Sequence, residues 1–175
     1  MLEKLKAKQA DAKTIETTVA DMANFNLDRT YDFAYLIFNT LLNLTSQAAQ
    51  VACFQNAAQH LNSGGRFLVE TIVPDIAVFT DNQYLRTDEV NFNDVRIEAA
   101  THDPVSQLVE CQRIRISAEG TSVKPFVYRY AWPSEIDLMA NLAGLKLVHR
   151  WGDWQRSPFT PDSGMHISVY EKAPS

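Results

Sequence analysis

The sequence predicts an α/β fold that carries an antiparallel insertion, and three observations lead to this prediction. Residues 31–38 form an unbroken apolar strand, a helical pattern follows, and a second apolar strand begins at residue 66. Residues 82–131 instead alternate polar and apolar positions, which is typical of an antiparallel meander with one face in water. A helical pattern at residues 133–144 then precedes two closing strands. No repeat or linker divides the chain, so residues 1–175 are predicted to form a single domain.

Composition and charge narrow the class of protein. The chain has 175 residues, and its net charge of −5 argues against a protein that wraps nucleic acid or coats an anionic membrane. No window reaches the roughly 18 apolar residues of a spanning helix, and the N-terminus lacks the apolar segment of a secretory signal. We therefore expect a cytoplasmic protein that binds neither nucleic acid nor membrane. Cys53 and Cys111 are expected to be buried reduced thiols.

The first elements are predicted to be a helix and two strands. Residues 1–10 place two leucines among good helix formers. Residues 13–20, with the sequence KTIETTVA, have the β-branched content of a strand that ends at Asp21 and Met22. Residues 31–38, with the sequence YDFAYLIF, read as a strand that is buried on both faces.

The next segment completes a βαβ unit. Thr45 or Ser46 is expected to cap the following helix, and Gly64-Gly65 is expected to end it. The strand RFLVETIV at residues 66–73 should then pair in parallel with the strand at residues 31–38, through a right-handed crossover.

The insertion at residues 82–131 is predicted to be a meander of about three strands, with turns at Asp103-Pro104 and Glu119-Gly120. A helix follows, with Pro133 near its start, Ser134 as a possible cap and Gly144 at its end. The segments LKLVHRWGDW and HISVYEK are predicted to be the last two strands.

Three segments taken together resemble a class I S-adenosylmethionine-dependent methyltransferase of the small-molecule branch. They are VADMANFNLDRTYDFAYLIFNTLLNL, HLNSGGRFLVE and YAWPSEIDLMANLAGLKLVHRWGDW. The resemblance covers nearly the whole chain in the correct order. It implies a partial Rossmann-like methyltransferase sheet in which the meander follows the fifth family strand and forms a lid or a dimer surface.

The resemblance also implies a cofactor site for S-adenosylmethionine. Asp21 and Met22 match the family residues that contact the adenine. Phe38, Asn39 and Thr40 match the segment that lies beside the methionine moiety and the reacting methyl group.

One departure from the family is large. The glycine-rich loop that cradles the cofactor after the first family strand is absent, since the first glycine of this chain is Gly64. The acidic residue that holds the ribose is absent too. We therefore expect an N-terminally truncated methyltransferase with low affinity for the cofactor. Without the two preceding family strands, residues 31–38 should also form an open sheet edge, which invites the segment TIETTV, a second copy of the chain or the missing half of a longer protein to pair there. Of these we expect a homodimer.

Candidate catalytic and substrate-binding residues follow from the same framework. Glu70 ends a strand where ligands bind in α/β sheets, although a surface or capping acid would have the same pattern. His149 lies near two tryptophans and is a second catalytic candidate, with a structural role as the alternative. Asn43, Tyr130 and Trp132 are candidates for contact with a substrate, against helix capping for the amide and core packing for the aromatic rings. No residues have the spacing of metal ligands.

The predicted function is methyl transfer to an N or O atom of a small metabolite, impaired in this chain or dependent on complementation. Methyl transfer needs alignment of the nucleophile and the donor, and in some cases a base. The alternative is an inactive, dimeric methyltransferase-like binding or scaffold protein. A third possibility is a cofactor-free reaction in the same cleft.

Overall fold

The computed structural model describes residues 16–174, and over this range the chain forms two four-stranded sheets and two α-helices. The main sheet has the strand order β1-β2-β8-β7 and contains Tyr31–Leu36 (β1), Leu61–Ile72 (β2), Leu145–Trp151 (β7) and Met165–Lys172 (β8). The helices are Gln47–Gln59 (α1) and Pro133–Leu142 (α2). The second sheet is the meander, in the order Gln83–Asn91 (β3), Asp94–Asp103 (β4), Leu108–Ser117 (β5) and Gly120–Arg129 (β6).

The predicted βαβ unit is confirmed. Strand β1 pairs in parallel with β2, and the Ser46 hydroxyl caps α1 by accepting a hydrogen bond from the Ala49 N–H at 3.2 Å. Helix α1 packs its apolar face on the main sheet, where the fully buried Phe54 lies edge-on to Phe67 and Tyr170. Helix α1 and strand β2 therefore supply much of the central core, which Ile136 and Met139 of α2 complete.

The predicted role of the glycine pair is wrong. Helix α1 ends at Gln59, with His60 as its C-cap, and Gly64-Gly65 lies within β2. The β1–β2 register shifts between Tyr31 and Phe33, because extra residues of β2 bulge out opposite this point. Gly64 takes a φ of +74° in the bulge, a conformation that glycine adopts without a steric penalty.

The two glycines of this bulge are expected to differ in their tolerance of alanine. A Cβ at Gly65 would lie 2.9 Å from the Asn62 carbonyl oxygen and 3.1 Å from that of Tyr31, whereas a Cβ at Gly64 would meet nothing within 4 Å. Gly64→Ala should therefore cost only backbone strain, about 1–2 kcal/mol. Gly65→Ala should cost more, because the β1–β2 pairing must shift. Urea unfolding of both variants tests this order, and an equal or smaller loss in Gly65→Ala would contradict it.

The meander has four strands rather than the predicted three. The alternating pattern predicted a single strand here, but a tight turn at Phe92 and Asn93 separates β3 from β4. The turns after Asp103 and at Glu119 are confirmed. Period-two alternation continues across a two-residue hairpin turn, so the pattern alone did not reveal this reversal.

Two predictions near the N-terminus have different outcomes. The predicted helix at residues 1–10 lies outside the described residues, as do residues 13–15 of the predicted strand. Residues 16–20 are exposed and have no regular secondary structure, so the strand prediction is wrong over this part. Within the described chain, β1 pairs only with β2 and is an edge of the main sheet. Phe33 and Tyr35 are exposed there, so the prediction that this strand is buried on both faces is wrong for the described chain.

The later elements follow the prediction closely. Helix α2 begins at Pro133, but Trp132 rather than Ser134 occupies the cap position. Gly144 follows the helix with a φ of +76°, as a helix-ending glycine does. Cys53 and Cys111 are buried and form no disulfide, as predicted.

A buried polar network fixes the meander to the helices. The Arg129 guanidinium, at the end of β6, donates hydrogen bonds to Gln50 of α1 at 2.6 Å, to Gln107 at 2.8 Å and to Glu135 of α2 at 2.7 Å. Gln47 of α1 adds a hydrogen bond to Glu135 at 2.8 Å. Both helices and the base of the meander thus meet at Arg129, and this network ties the meander to the helices.

Candidate functional site

A cavity of about 580 Å³ lies between the carboxyl ends of β1 and β2 and the inner face of the meander. The wall from the main sheet and its loops consists of Phe38, Asn39, Leu42, Asn43, Ile72, Val73 and Gly164. The wall from the meander and the loop that leads to it consists of Asp75, Val78, Phe79, Tyr84, Arg86, Glu98, Arg113, Phe126 and Tyr128. The position matches the usual ligand site of an open α/β sheet, outside the carboxyl ends of its strands.

The rim at the end of β1 has an unusual backbone. Phe38 and Asn39 both have a φ of 57°, a backbone conformation that residues other than glycine rarely adopt. Two contacts with β2 hold this conformation. The Phe38 N–H donates to the Glu70 carboxylate at 3.0 Å, and the Asn39 Oδ1 accepts from the Ile72 N–H at 2.8 Å. Strain held in this way by the surrounding structure is a feature of ligand sites.

The rim leaves two groups directed to the cavity. The Phe38 side chain is 80% exposed and lines it. Only the oxygen of the Asn39 amide is hydrogen-bonded, and the amide nitrogen donates no hydrogen bond within residues 16–174. Thr40 and Asn43 bond locally instead, with the Thr40 hydroxyl on the Ile37 carbonyl at 2.6 Å and the Asn43 amide on the Thr40 carbonyl at 3.2 Å.

A buried carboxylate organises the opposite wall. Glu98 is 3% exposed, and it accepts hydrogen bonds from the Tyr84 hydroxyl, from Arg86 Nη2 at 3.0 Å and from Arg113 Nε at 3.1 Å. Burial alone would raise the pKa of Glu98, but the hydrogen bonds from Tyr84 and Arg113 and the charges of Arg86 and Arg113 hold it below its usual value. Glu98 is therefore an ionised anchor for two arginines.

Aromatic side chains complete this wall. Phe79 packs against Tyr84 with ring centroids 5.0 Å apart, and Phe126 stacks on Tyr128 at 6.2 Å. Burial, together with the nearby Cys111 and Glu98, raises the pKa of Tyr128 to about 12. The phenol is therefore neutral at physiological pH. The cavity thus combines apolar faces with a few oriented polar groups, as small-molecule sites do.

The candidate residues fall into two groups. Phe38, Asn39 and Asn43 line the cavity, and Thr40 and Glu70 support its rim. Asp21 and Met22 do not line the cavity. Asp21 is exposed, and its carboxylate accepts a hydrogen bond from the Ala23 N–H at 2.8 Å, while Met22 packs on the central core.

The remaining candidates lie away from the cavity. His149 is exposed on the edge strand β7 and stacks on Trp151 at 5.2 Å. Tyr130 is buried at the base of the meander, where its hydroxyl is 3.0 Å from His102 Nε2, and Trp132 packs edge-on to it. The structure therefore does not bring these side chains to the cavity.

Two negative findings apply to residues 16–174. No group of three or more His, Cys, Asp or Glu side chains there could hold a metal ion. None of the helices in this range has the length and apolar character needed to cross a membrane.

Comparison with known proteins identifies the family. No family model matches the sequence. The structure of the CcbJ methyltransferase from Streptomyces caelestis is similar with a TM-score of 0.90 and 34% sequence identity, over 98% of this chain and 70% of that one. The chain belongs to the class I S-adenosylmethionine-dependent methyltransferases.

Two further relatives are more distant. The cypemycin N-terminal methyltransferase of a Streptomyces species is 24% identical over 174 residues, which are 98% of this chain and 70% of that protein. The S-adenosylmethionine-bound CalS10, an amino pentose methyltransferase from Micromonospora echinaspora, has a TM-score of 0.69 at 17% identity, over 99% of this chain and 71% of that one. The fold of this methyltransferase is thus Rossmann-like, as predicted.

The side chains at the rim are chemically compatible with one end of the cofactor. The unused Asn39 amide nitrogen and the exposed Phe38 ring offer a polar and an apolar contact at the carboxyl end of β1. An amide N–H can donate to a carboxylate and an aromatic face attracts a cation, so these groups are compatible with the methionine end of S-adenosylmethionine, which carries a carboxylate and the positive sulfonium.

Sequence reasoning missed the Arg86, Glu98 and Arg113 cluster. These residues are direct cross-strand neighbours, with Arg86 opposite Glu98 and Glu98 opposite Arg113. Their register follows from the hairpin turns, so the turn at Phe92 and Asn93 was the signal that could have revealed the first pair.

Proposed function

We propose that this methyltransferase transfers a methyl group from S-adenosylmethionine to an amine nitrogen of a small molecule bound in the cavity. The observation that carries the proposal is the cavity itself, which joins the strained Phe38–Asn39 rim to an aromatic wall with a fixed carboxylate. An amine is favoured over a hydroxyl because the names of two relatives specify an N-terminal and an amino pentose methyltransferase.

The cofactor, when bound, supplies an electrophilic methyl group for an in-line displacement. The chain's own residues then have two tasks, which are to align the amine and to accept its proton. Phe38 and Asn39 define the side of the cavity from which the methyl group arrives. The aromatic wall offers apolar contacts to the reacting amine, which must be neutral to act as a nucleophile.

One carboxylate in the cavity is placed to take up that proton. Glu98 is not assigned as the proton acceptor, since its oxygens already accept hydrogen bonds from Tyr84, Arg86 and Arg113. Asp75 lines the cavity and uses only Oδ1, which accepts the Ala77 N–H at 3.1 Å. Its second oxygen makes no hydrogen bond within the described chain, so we assign Asp75 as the proton acceptor. Glu70 is assigned a positioning role, because its carboxylate holds the Phe38 N–H.

Affinity for the cofactor is expected to be low in these 175 residues alone. No glycine precedes Gly64, so no glycine-rich turn stands before β1 to hold the rest of the cofactor. We infer that tight binding needs a further segment, and the open edge of β1 is a place where an added strand could pair.

Calorimetric titration with S-adenosylmethionine tests the proposal. We expect weak binding that Asp21→Ala reduces at least tenfold, if Asp21 contacts the adenine as the family resemblance implies. Asp28→Ala is the matched control, because it removes an exposed carboxylate of the same segment that has no hydrogen bond in the structure. Mass spectrometry of a panel of small amines incubated with cofactor then detects methylated product. Absence of heat at millimolar cofactor would contradict the proposal.

A second candidate function is a catalytically inactive, dimeric binding protein. The outer face of the meander favours it, since Leu85, Ile116, Val123 and Val127 are between 41% and 72% exposed there. Its four strands of about ten residues cover roughly 600 Å², close to the area per partner of a standard interface. A dimer mass in light scattering without cofactor binding would favour this candidate.

A further inference from the structure

Arg113 has an unusual set of contacts in the cavity wall. Its Nε donates to Glu98 at 3.1 Å, and its guanidinium lies 4.6 Å from the centre of the Phe126 ring. These two contacts fix the plane of the group. Its Nη1 and Nη2 atoms make no hydrogen bond within residues 16–174, although the residue lines the cavity. The outer edge of this fork of donors, on a side chain that is 63% exposed, therefore has no partner in that range.

Positive charge is concentrated beside this fork. In the β5–β6 register Arg113 lies directly opposite Lys124, whose ammonium group has no ion-pair partner in the described chain. Like charges at directly opposed positions of a sheet are destabilising, and by Coulomb's law an anion between them would reduce that repulsion. Arg113 and Lys124 also line a second, smaller cavity of about 360 Å³, which adjoins the first at Arg113.

The neighbouring arginine differs in this respect. Arg86 donates to Glu98 and also forms an ion pair with Asp88 at 3.3 Å, so two carboxylates balance its charge. Glu98 is shared between Arg86 and Arg113. Three cations, Arg86, Arg113 and Lys124, thus share two carboxylates, Glu98 and Asp88, and Lys124 is the cation without an ion pair in the described chain.

We infer that the methyl acceptor carries a carboxylate, which the two Nη atoms of Arg113 bind side by side while Lys124 adds attraction. Two parallel N–H···O bonds are the geometry that guanidinium and carboxylate prefer. The acceptor is thus an amino acid or a molecule with an amino acid portion. The inference rests on the proposed function for the identity of the acceptor site, but the anion site itself can be measured without the methyl donor.

The test compares two secondary amines that differ at the carboxylate, L-proline and L-prolinamide. Each is titrated calorimetrically into the full chain at low ionic strength, in the absence of cofactor. We expect L-proline to bind at least about tenfold more tightly, the lower range for a charge-assisted pair of hydrogen bonds. Equal affinities, or no binding of L-proline at millimolar concentration, would overturn the inference.

Variants assign the preference to Arg113. Arg113→Gln should reduce it to less than about twofold, and Arg113→Lys should give an intermediate value, since it keeps the charge but loses the fork. The Lys variant also covers the case in which Arg113→Gln disturbs Glu98 and the fold. Lys146→Gln removes an exposed positive charge from β7 in the other sheet and should leave the preference intact. A preference that survives in both Arg113 variants would assign the carboxylate to another group and sink the inference.

Failure of this inference and failure of the proposed function give different results. Binding of S-adenosylmethionine with no preference for L-proline would refute the anion site alone. A preference that depends on Arg113, without cofactor binding or methylated product, would refute methyl transfer and leave the anion site standing.

Discussion

Replacing Arg129 with methionine is expected to lower the free energy of unfolding by about 3–5 kcal/mol, the range for removing one partner of a buried ion pair. The Arg129 side chain is only 5% exposed, and the change would leave the Glu135 carboxylate and the Gln50 and Gln107 amides without their shared donor. Burial tends to raise the pKa of Glu135, whereas hydrogen bonds from Gln107, Gln47 and Arg129 hold it low. Urea unfolding at neutral pH measures the loss.

A surface pair supplies the control for this variant. Arg66 bonds to Glu171 at 2.9 Å, but its side chain is 50% exposed. Arg66→Met should therefore cost no more than about 1 kcal/mol. If the two variants lost similar stability, the buried network would not be the feature that joins the meander to the helices.

A second large effect is expected on acidification, through His166. This side chain is fully buried, and burial, followed by the nearby charge of Arg150, lowers its pKa to about 4, although Asp137 opposes the shift. In the unfolded chain the pKa of histidine is about 6.5. The unfolded state therefore binds the proton more readily, so that stability contributed by neutral His166 is complete above pH 6.5 and is lost as the pH falls towards 4. The full loss is about 3 kcal/mol.

The hydrogen bonds around His166 explain why protonation is unfavourable. Arg150 donates to the Ser168 hydroxyl at 2.8 Å, which leaves that hydroxyl to donate to His166 Nδ1 at 2.8 Å. We assign the hydrogen to Nε2 on this basis. Nε2 has no hydrogen-bond partner in the described chain, and neither has the buried Thr71 hydroxyl opposite it in the β2–β8 register. A second proton would displace the Ser168 hydrogen bond and place a charge beside Arg150.

Denaturant unfolding between pH 7 and 4.5 measures this effect. Wild type should lose about 2 kcal/mol more than His166→Asn over that range. The difference between the two proteins isolates His166, since Glu98 and Glu135, whose pKa values are lowered, also lose stability as the pH falls. His149→Asn, at an exposed position, should behave as wild type. Parallel pH profiles for wild type and His166→Asn would disprove the assignment.

Strong local patterns predicted most of the fold. The apolar run at residues 31–38 and the capped helix after it became β1 and α1, because strand propensity and capping act over a few residues. The glycine pair was misplaced because HLNSGG fits either a helix end or a bulge. What decides between them is tertiary, since the β1–β2 pairing places Gly65 against the Tyr31 carbonyl.

The candidate site was predictable to a smaller extent. The polar residues after β1 predicted a rim at the end of this strand, but the residues of β2 that bond to the rim depend on strand pairing. Glu98 could not be recognised as an anchor from its own neighbours in sequence, because Arg86 and Arg113 approach it from the two flanking strands. Side chains that meet across strands are visible in a sequence only when the turns between the strands are located.

The meander also has a consequence for the order of folding. Each of its hairpins joins strands that are adjacent in the chain, whereas β2 and β8 pair residues as distant as Arg66 and Glu171. Closing so long a loop carries an entropic cost. Once the hairpins form, they bring the two ends of the insertion together and shorten the effective separation of β2 from β8. We therefore expect the meander to assemble early and to speed completion of the main sheet.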